Sequence, residues 1–187
     1  MTTIAAIQGD GWCVIGADSQ ASDGTGFAVL LPDGKIFENN GLTMAGAGAV
    51  RGINILQHDW VAPKVGRGNP DKYVTRSLIP SMRKAFAEAG YEVNRSDSSV
   101  ENDNQWIIIF NGNVYRIEED YGWERITDNL YVAGSGERFA LGAMTALGGS
   151  DASSPQEAEH IIREAIAAAI KWDAYSGGEI KTVTVCH

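Results

Sequence analysis

The run Trp12-Cys13-Val14-Ile15 is apolar without a break, between the turn signal Asp10-Gly11 and a small, polar stretch opening at Asp18. A short unbroken run of this kind reads as a strand buried on both faces, because a half-exposed strand alternates apolar with polar residues. The rest of the chain is arranged around it in groups. Thr3 to Ile7 is β-rich and reaches Trp12–Ala17 through Gln8-Gly9-Asp10-Gly11, where Asp-Gly signals a hairpin. Asp18 to Gly26 reads as a loop and Phe27 to Leu31 as a strand. Pro32-Asp33-Gly34 leads into Lys35-Ile36-Phe37, and Asn39-Asn40-Gly41 turns into a strand over Leu42–Gly46.

Helical spacing follows. Val50, Ile53, Leu56 and Trp60 mark a helix over Ala49–Val61, and a linker covers Pro63–Pro70. Asp71 to Ala89 reads as a second helix, with Asp71 as N-cap, Gly90 just past the end and a kink at Pro80. Tyr91 to Asp103 reads as a polar, mobile loop. Gln105–Phe110 and Val114–Glu118 form a hairpin around Asn111-Gly112-Asn113, and Asn129–Ala133 is a further strand. Gly134-Ser135-Gly136 turns into a helix over Glu137–Leu147. Ser154-Pro155 opens another that runs to about Trp172, with Ala158, Ile161, Ile162, Ala165 and Ala169 on one stripe. Ile180 to Val185 alternates and ends the pattern as a strand. Strands, two helices, strands, two helices and a strand predict an α+β sandwich of two stacked sheets between helical layers. At 187 residues the chain fits one domain, 1–187, without internal repeats.

A net charge of −9 and a pI near 4.7 argue against a nucleic-acid partner or an anionic membrane surface. No apolar stretch is long enough to span a bilayer, and the N-terminus lacks the pattern of a secretion signal. Cys13 and Cys186 have apolar neighbours and no metal-ligand spacing, so buried free thiols are favoured over a disulfide. A reduced, cytoplasmic setting is the expectation. His58, His160 and His187 are too scattered for a metal site or a serine-type triad, and no phosphate-binding glycine loop is present. Neither a cofactor nor a metal is expected.

The chain opens Met1-Thr2-Thr3-Ile4-Ala5. Removing one residue would leave Thr2 with a free α-amine beside its own hydroxyl. An α-amine titrates near neutrality, so it can serve as the base that a threonine nucleophile needs. Many chains begin Met-Thr, and Thr2 also reads as the plain start of a strand. Further along stand Val14-Ile15-Gly16-Ala17-Asp18-Ser19, Lys35, Thr43-Met44-Ala45-Gly46, Gly134-Ser135-Gly136 and Asp173-Ala174-Tyr175-Ser176-Gly177-Gly178.

In this order and spacing, these pieces resemble a proteasome β-subunit or the related bacterial HslV-like threonine peptidase, from Thr2 to the end of the chain. The resemblance implies the four-layer αββα sandwich of N-terminal-nucleophile hydrolases. It also implies roles for individual residues. Thr2 matches the nucleophile, Asp18 the acid that orients the catalytic lysine, and Lys35 that lysine, across a stretch slightly different in length from the family pattern. Gly46 matches the glycine whose amide faces the oxyanion, a role worth a few kcal/mol of barrier. Ser135, Asp173 and Ser176 match the groups that hold the nucleophile, its amine and a water. Ser22 and Gly48 match positions that pair with an extended peptide. Ala21 and Met44 match walls of a roomy, apolar pocket for the residue before the scissile bond. Each has a plainer alternative: a turn former at Asp18, a solvated charge at Lys35, close packing around Gly46, a helix cap at Ser135, a helix stop at Asp173–Ser176.

The activity implied is a threonine endopeptidase that cuts unfolded proteins or peptides inside a self-compartmentalising homo-oligomeric ring. Rings of about six or seven subunits, stacked in pairs, are implied, with a separate ATPase unfoldase to feed folded substrates. Only Met1 precedes Thr2, so maturation by a methionine aminopeptidase is expected. Two other readings remain: a catalytically silent assembly subunit with Met1 retained, and an N-terminal-nucleophile amidase acting on a small amide.

Overall fold

The computed structural model describes residues 2–23, 25–91, 93–96 and 99–186, with the backbone path alone at 93–96, 99 and 100. Two expectations touch residues outside that set: Met1 and its removal, and His187. Strand alternation explains the layering. β1 (Ile4–Gly9) and β2 (Trp12–Ala17) pair antiparallel as a hairpin. With β12 (Leu130–Ala133) and β13 (Lys181–Cys186) they form a four-stranded sheet in the order β12-β1-β2-β13. The second sheet has the order β11-β10-β9-β6-β5: Trp123–Glu124, Asn113–Ile117, Asn104–Phe110, Leu42–Gly48 and Ile36–Asn39.

Successive side chains of a strand point to opposite faces. Ile4, Ala6, Cys13 and Ile15 of the first sheet therefore meet Ala45, Ile107, Ile109 and Val114 of the second in a central core. The opposite face of the first sheet, with Ala5, Ile7 and Val14, packs on Ala140, Met144, Ile162 and Ile166. These last residues belong to α4 (Glu137–Ala146) and α5 (Pro155–Trp172). The outer face of the second sheet, with Met44, Trp106 and Ile108, packs on Leu56, Leu78, Met82 and Phe86 of the other helical layer. Three cores in series make four layers, αββα, as expected. The apolar run Trp12–Ile15 is buried throughout because β2 has layers on both sides.

Some elements differ from expectation. The Ala49–Val61 helix divides into α1 (Val50–Asn54) and a wider π turn, Ile55–Asp59. The Asn39 amide stops it, donating to the carbonyls of Leu56 and Trp60, each at 2.9 Å. The next helix starts one residue early, at Pro70, and its cap is Asn69, which accepts from the Lys72 amide at 3.0 Å. Asp71 instead accepts from the Tyr115 hydroxyl at 2.6 Å. That helix runs as α2 (Pro70–Tyr73), a π turn (Val74–Leu78) and α3 (Ile79–Glu88). Pro80 gives no amide hydrogen and crowds the carbonyl four residues back, which is Arg76, inside the widened turn.

The loop expected over Asp18–Gly26 contains β3 (Gln20–Ser22), paired with β4 (Ala28–Leu30). The Asp23 carboxylate closes this hairpin by accepting from the amides of Thr25 and Phe27 at 2.9 and 3.1 Å. The polar stretch after Tyr91 likewise holds two short paired strands, β7 (Val93–Ser96) and β8 (Ser99–Glu101). Glu92, Asp97 and Ser98, also part of that loop expectation, lie outside the described residues. Cys13 is buried and Cys186 exposed, neither in a disulfide, and burial pushes the Cys13 thiol up to about 12. No helix among the described residues is long and apolar enough to cross a membrane.

Candidate active site

The start of β1 lies between β12 and the end of β2, and this fixes Thr2 and Thr3. Asp18 donates its backbone N–H to the Thr3 carbonyl at 3.2 Å, carrying the β1–β2 ladder past Ala17. Gly134 makes room on the other side. Its φ is +94°, and a Cβ there would strike the Thr2 carbonyl. Thr2 is 2% exposed and Thr3 fully buried.

The Asp18 carboxylate, 1% exposed, accepts four hydrogen bonds. Lys35 Nζ and the Thr3 amide reach Oδ1 at 2.7 and 2.9 Å, and the amides of Gln20 and Gly177 reach Oδ2 at 3.2 and 2.9 Å. Lys35 is 2% exposed, so this is a buried ion pair and not the solvated charge considered above. Burial lowers the Lys35 ammonium below the ordinary 10.5, against the opposing pull of Asp18 and, farther off, Asp173.

A second network lies on the other side of Thr2. The Thr2 N–H donates to Ser135 Oγ at 3.3 Å, and Ser135 Oγ donates to Asp173 Oδ2 at 2.6 Å. Ser176 Oγ donates to the same oxygen at 2.6 Å and lies 2.7 Å from Thr3 Oγ1. Ser135 caps no helix. The residue ahead of α4 is Gly136, with no side-chain cap. Asp173 does end α5, and it also gathers these hydroxyls.

Two cavities open here. One, of about 110 Å³, is lined by Thr2, Lys35, Ala21, Ser22 and Gly48, with Leu31, Val50 and Ile53 as its apolar wall. Among the described residues, the buried Ser22 hydroxyl has no hydrogen-bond partner. The other, of about 270 Å³, runs past Gly48, Gly134 and Ser135 to Asp103, Glu119 and Glu137. Gly48 borders both. Its φ is +127°, and a side chain there would meet the Asp103 carbonyl.

Thr2, Asp18, Lys35, Ser135, Asp173, Ser176, Ala21, Ser22 and Gly48 thus converge. Met44 and Gly46 do not, and the expectations for them are corrected. Met44 is fully buried in the outer core with Phe37 and Ile108 and lines neither cavity. Its place in the strand sends it to the helical side, and the apolar lining of the smaller cavity comes from Leu31, Val50 and Ile53. Gly46 pairs with Trp106, where a Cβ would press on the Trp106 ring, and it too borders neither cavity. Close packing accounts for it. The pocket is also small. A cavity of about 150 Å³ holds a benzene ring, so 110 Å³ is not roomy.

Sequence reading missed three contributors. Thr3 supplies both an amide and a hydroxyl, and Gln20 and Gly177 supply amides. The doubled threonine at the start was the one local signal for Thr3. Backbone donors carry no sequence signal.

The layers define a four-layer αββα sandwich. Residues 120–185 match the family model for the proteasome subunit. No curated protein matches the chain in sequence. Among solved structures, the chain is similar to BPH of Thiobacillus denitrificans, with a TM-score of 0.81 at 20% identity over 99% of this chain and 98% of that one. The same protein in complex with epoxomicin gives 0.79 at 20% identity, with the same coverage. A eukaryotic HslV from Trypanosoma brucei gives 0.67 at 20% identity over the full length of both chains. The resemblance to proteasome subunits holds in sequence over 120–185 and in fold over the whole chain.

The geometry separates the two partners of the ion pair. Asp18→Ala strands a buried ammonium and three amides and is expected to cost about 3–5 kcal/mol of stability. Lys35→Met removes the charge yet leaves Asp18 its three amide donors, so it should cost clearly less. Denaturant unfolding of the two variants checks this, and equal losses would contradict the ranking.

Proposed function

We propose that this chain is a proteasome-family threonine peptidase in which Thr2 is the nucleophile, carried by a ring of identical subunits. The observation that carries the reading is the buried Lys35–Asp18 pair opening onto the same small cavity as Thr2. A buried ion pair is seldom a net gain in stability, whereas a cation beside a hydroxyl has a chemical use. The Lys35 ammonium would stabilise the Thr2 alkoxide. Release of Met1 would turn the Thr2 N–H into a free amine, already aimed at Ser135, to take the hydroxyl proton. Attack on a peptide carbonyl then gives an acyl-enzyme. The same amine protonates the leaving nitrogen, and water, activated by the amine, frees the acyl product. The Ala47–Gly48 peptide borders the cleft and takes the oxyanion role expected of Gly46. The strand Gln20–Ser22 would align an extended substrate beside it by strand addition. Domain 1–187 and a cytoplasmic setting belong to the same reading.

Thr2→Ala is expected to abolish cleavage of fluorogenic peptides while leaving particle size by light scattering unchanged. Intact mass of the active protein should show loss of one methionine. Full turnover by Thr2→Ala, or by chains that retain Met1, would refute the mechanism.

The pH dependence follows from Lys35. Its charge is lost as pH rises through its pKa in the folded protein, which burial places below 10.5. The alkaline limb of kcat/KM should therefore begin below that value, and a profile flat through it would contradict the role of the cation.

The small apolar cavity selects the residue before the cut. Leu or Val gains about 1.5–3 kcal/mol by burial, whereas Asp or Arg is desolvated without a partner. Phe and Tyr exceed the volume. Profiling with peptide reporters should give Val and Leu ahead of Tyr, and Tyr ahead of Asp and Arg. A preference for Arg or Asp would show that another surface forms the pocket.

A further inference from the structure

We propose that Thr3 is a positioning residue for the nucleophile, acting through its hydroxyl on Ser176 and Asp173 and through its amide on Asp18. The proposal rests on the peptidase reading above. Thr3 lines neither cavity, so its action is indirect.

Alternation along β1 sends Thr3 to the same face as Ala5 and Ile7, which pack on α4 and α5. An apolar β-branched residue would suit that face equally well. A buried hydroxyl costs free energy unless it is bonded, and Thr3 Oγ1 is bonded, at 2.7 Å, to Ser176 Oγ. The direction of that bond follows from counting protons. A serine hydroxyl carries one proton, and that of Ser176 goes to Asp173 Oδ2 at 2.6 Å. Ser176 is therefore the acceptor, and Thr3 donates.

The Ser135 proton is likewise committed to Asp173 Oδ2 at 2.6 Å, so Ser135 accepts from the Thr2 N–H at 3.3 Å. Two relays converge on one carboxylate oxygen. One runs from the Thr2 nitrogen through Ser135, the other from the Thr3 hydroxyl through Ser176. Hydrogen bonds in such chains polarise one another. Thr3 also donates its amide to Asp18 at 2.9 Å, on the oxygen that holds Lys35 at 2.7 Å. One residue thereby joins the carboxylate that fixes the cation to the carboxylate that orients the amine, and it is covalently next to the nucleophile. The surroundings leave room for the hydroxyl: a Cβ at Gly136 would strike Thr3 Oγ1. Bonded at both its amide and its hydroxyl, Thr3 fixes the backbone from which Thr2 projects.

The test is steady-state kinetics of the mature ring on a fluorogenic peptide, with Thr3→Val, Thr3→Ser and Thr2→Ala in parallel. Thr3→Val keeps shape and β-branching and removes only the hydroxyl. It should lower kcat about tenfold, the size of one lost hydrogen bond to a charge-linked network, and leave KM within about twofold. Thr3→Ser keeps the hydroxyl and should restore most of kcat, which a packing role would not do. If Thr3→Val does not fold, Thr3→Ala against Thr3→Ser makes the same comparison. Unchanged kcat in Thr3→Val, or a Thr3→Ser as slow as Thr3→Val, overturns the proposal. Activity in Thr2→Ala, or an inactive parent ring, overturns instead the reading on which it rests.

Discussion

The Asp18 carboxylate is the point on which the site depends. It is buried and charged, and four donors from four separate parts of the chain converge on it: the start of β1, the start of β3, Lys35 ahead of β5, and Gly177 after α5. An isolated carboxylate in such a place would be prohibitively costly. It is tolerated only when all four segments have arrived, so forming this one contact network requires the first sheet, the edge of the second and the end of α5 to be in register. The residues that could do chemistry are thereby assembled by the same event that completes the sandwich.

The layers explain why the site is where it is. Along most of their length the two sheets are sealed by Ile4, Ile15, Ile107 and Ile109. At the end where β1 starts and β2 finishes, this seal gives way to polar residues. Thr2, Asp18 and Lys35 sit there under the β3–β4 hairpin and the first turn of α1. The apolar core thus holds the polar groups rigidly and lowers the local dielectric, which keeps the Lys35 ammonium below its ordinary pKa. Stability and reactivity pull against each other at this point. An apolar pair replacing both Asp18 and Lys35 would suit the core better than the ion pair does, so the pair is weak evidence of a stabilising role.

The second carboxylate has a different character. Asp173 ends α5 and receives the hydroxyls of Ser135 and Ser176. Its partners are neutral, and they point back toward the Thr2 nitrogen and the Thr3 hydroxyl. One carboxylate thus serves a cation and the other a chain of hydroxyls, with the two threonines between them. The close approaches at Gly134 and Gly136 show how tightly the start of β1 is held.

Local order determined much of this. The unbroken apolar run of β2, the Asn111-Gly112 hairpin, the Ser154-Pro155 start of α5 and its apolar stripe all follow from nearest-neighbour sterics and side-chain periodicity. Those rules act within a few residues, so the sequence alone carries them, and with them the order of elements that implies the sandwich. The hairpin over residues 20–30 was hidden because its residues are small and polar and its closure depends on one Asp23 carboxylate. Met44 and Gly46 show the other limit. Alternation says that neighbours on a strand face opposite ways, but only the stacking of layers decides which way is the cavity and which is the core. Likewise no spacing in the chain says that Thr2, Lys35 and Asp173 meet. The resemblance in motifs suggested it, and the packing of two sheets and a helix end sets Thr2 and Lys35 on one cavity and joins Thr2 to Asp173 through Ser135, because contacts between distant segments exist only once the tertiary structure has formed.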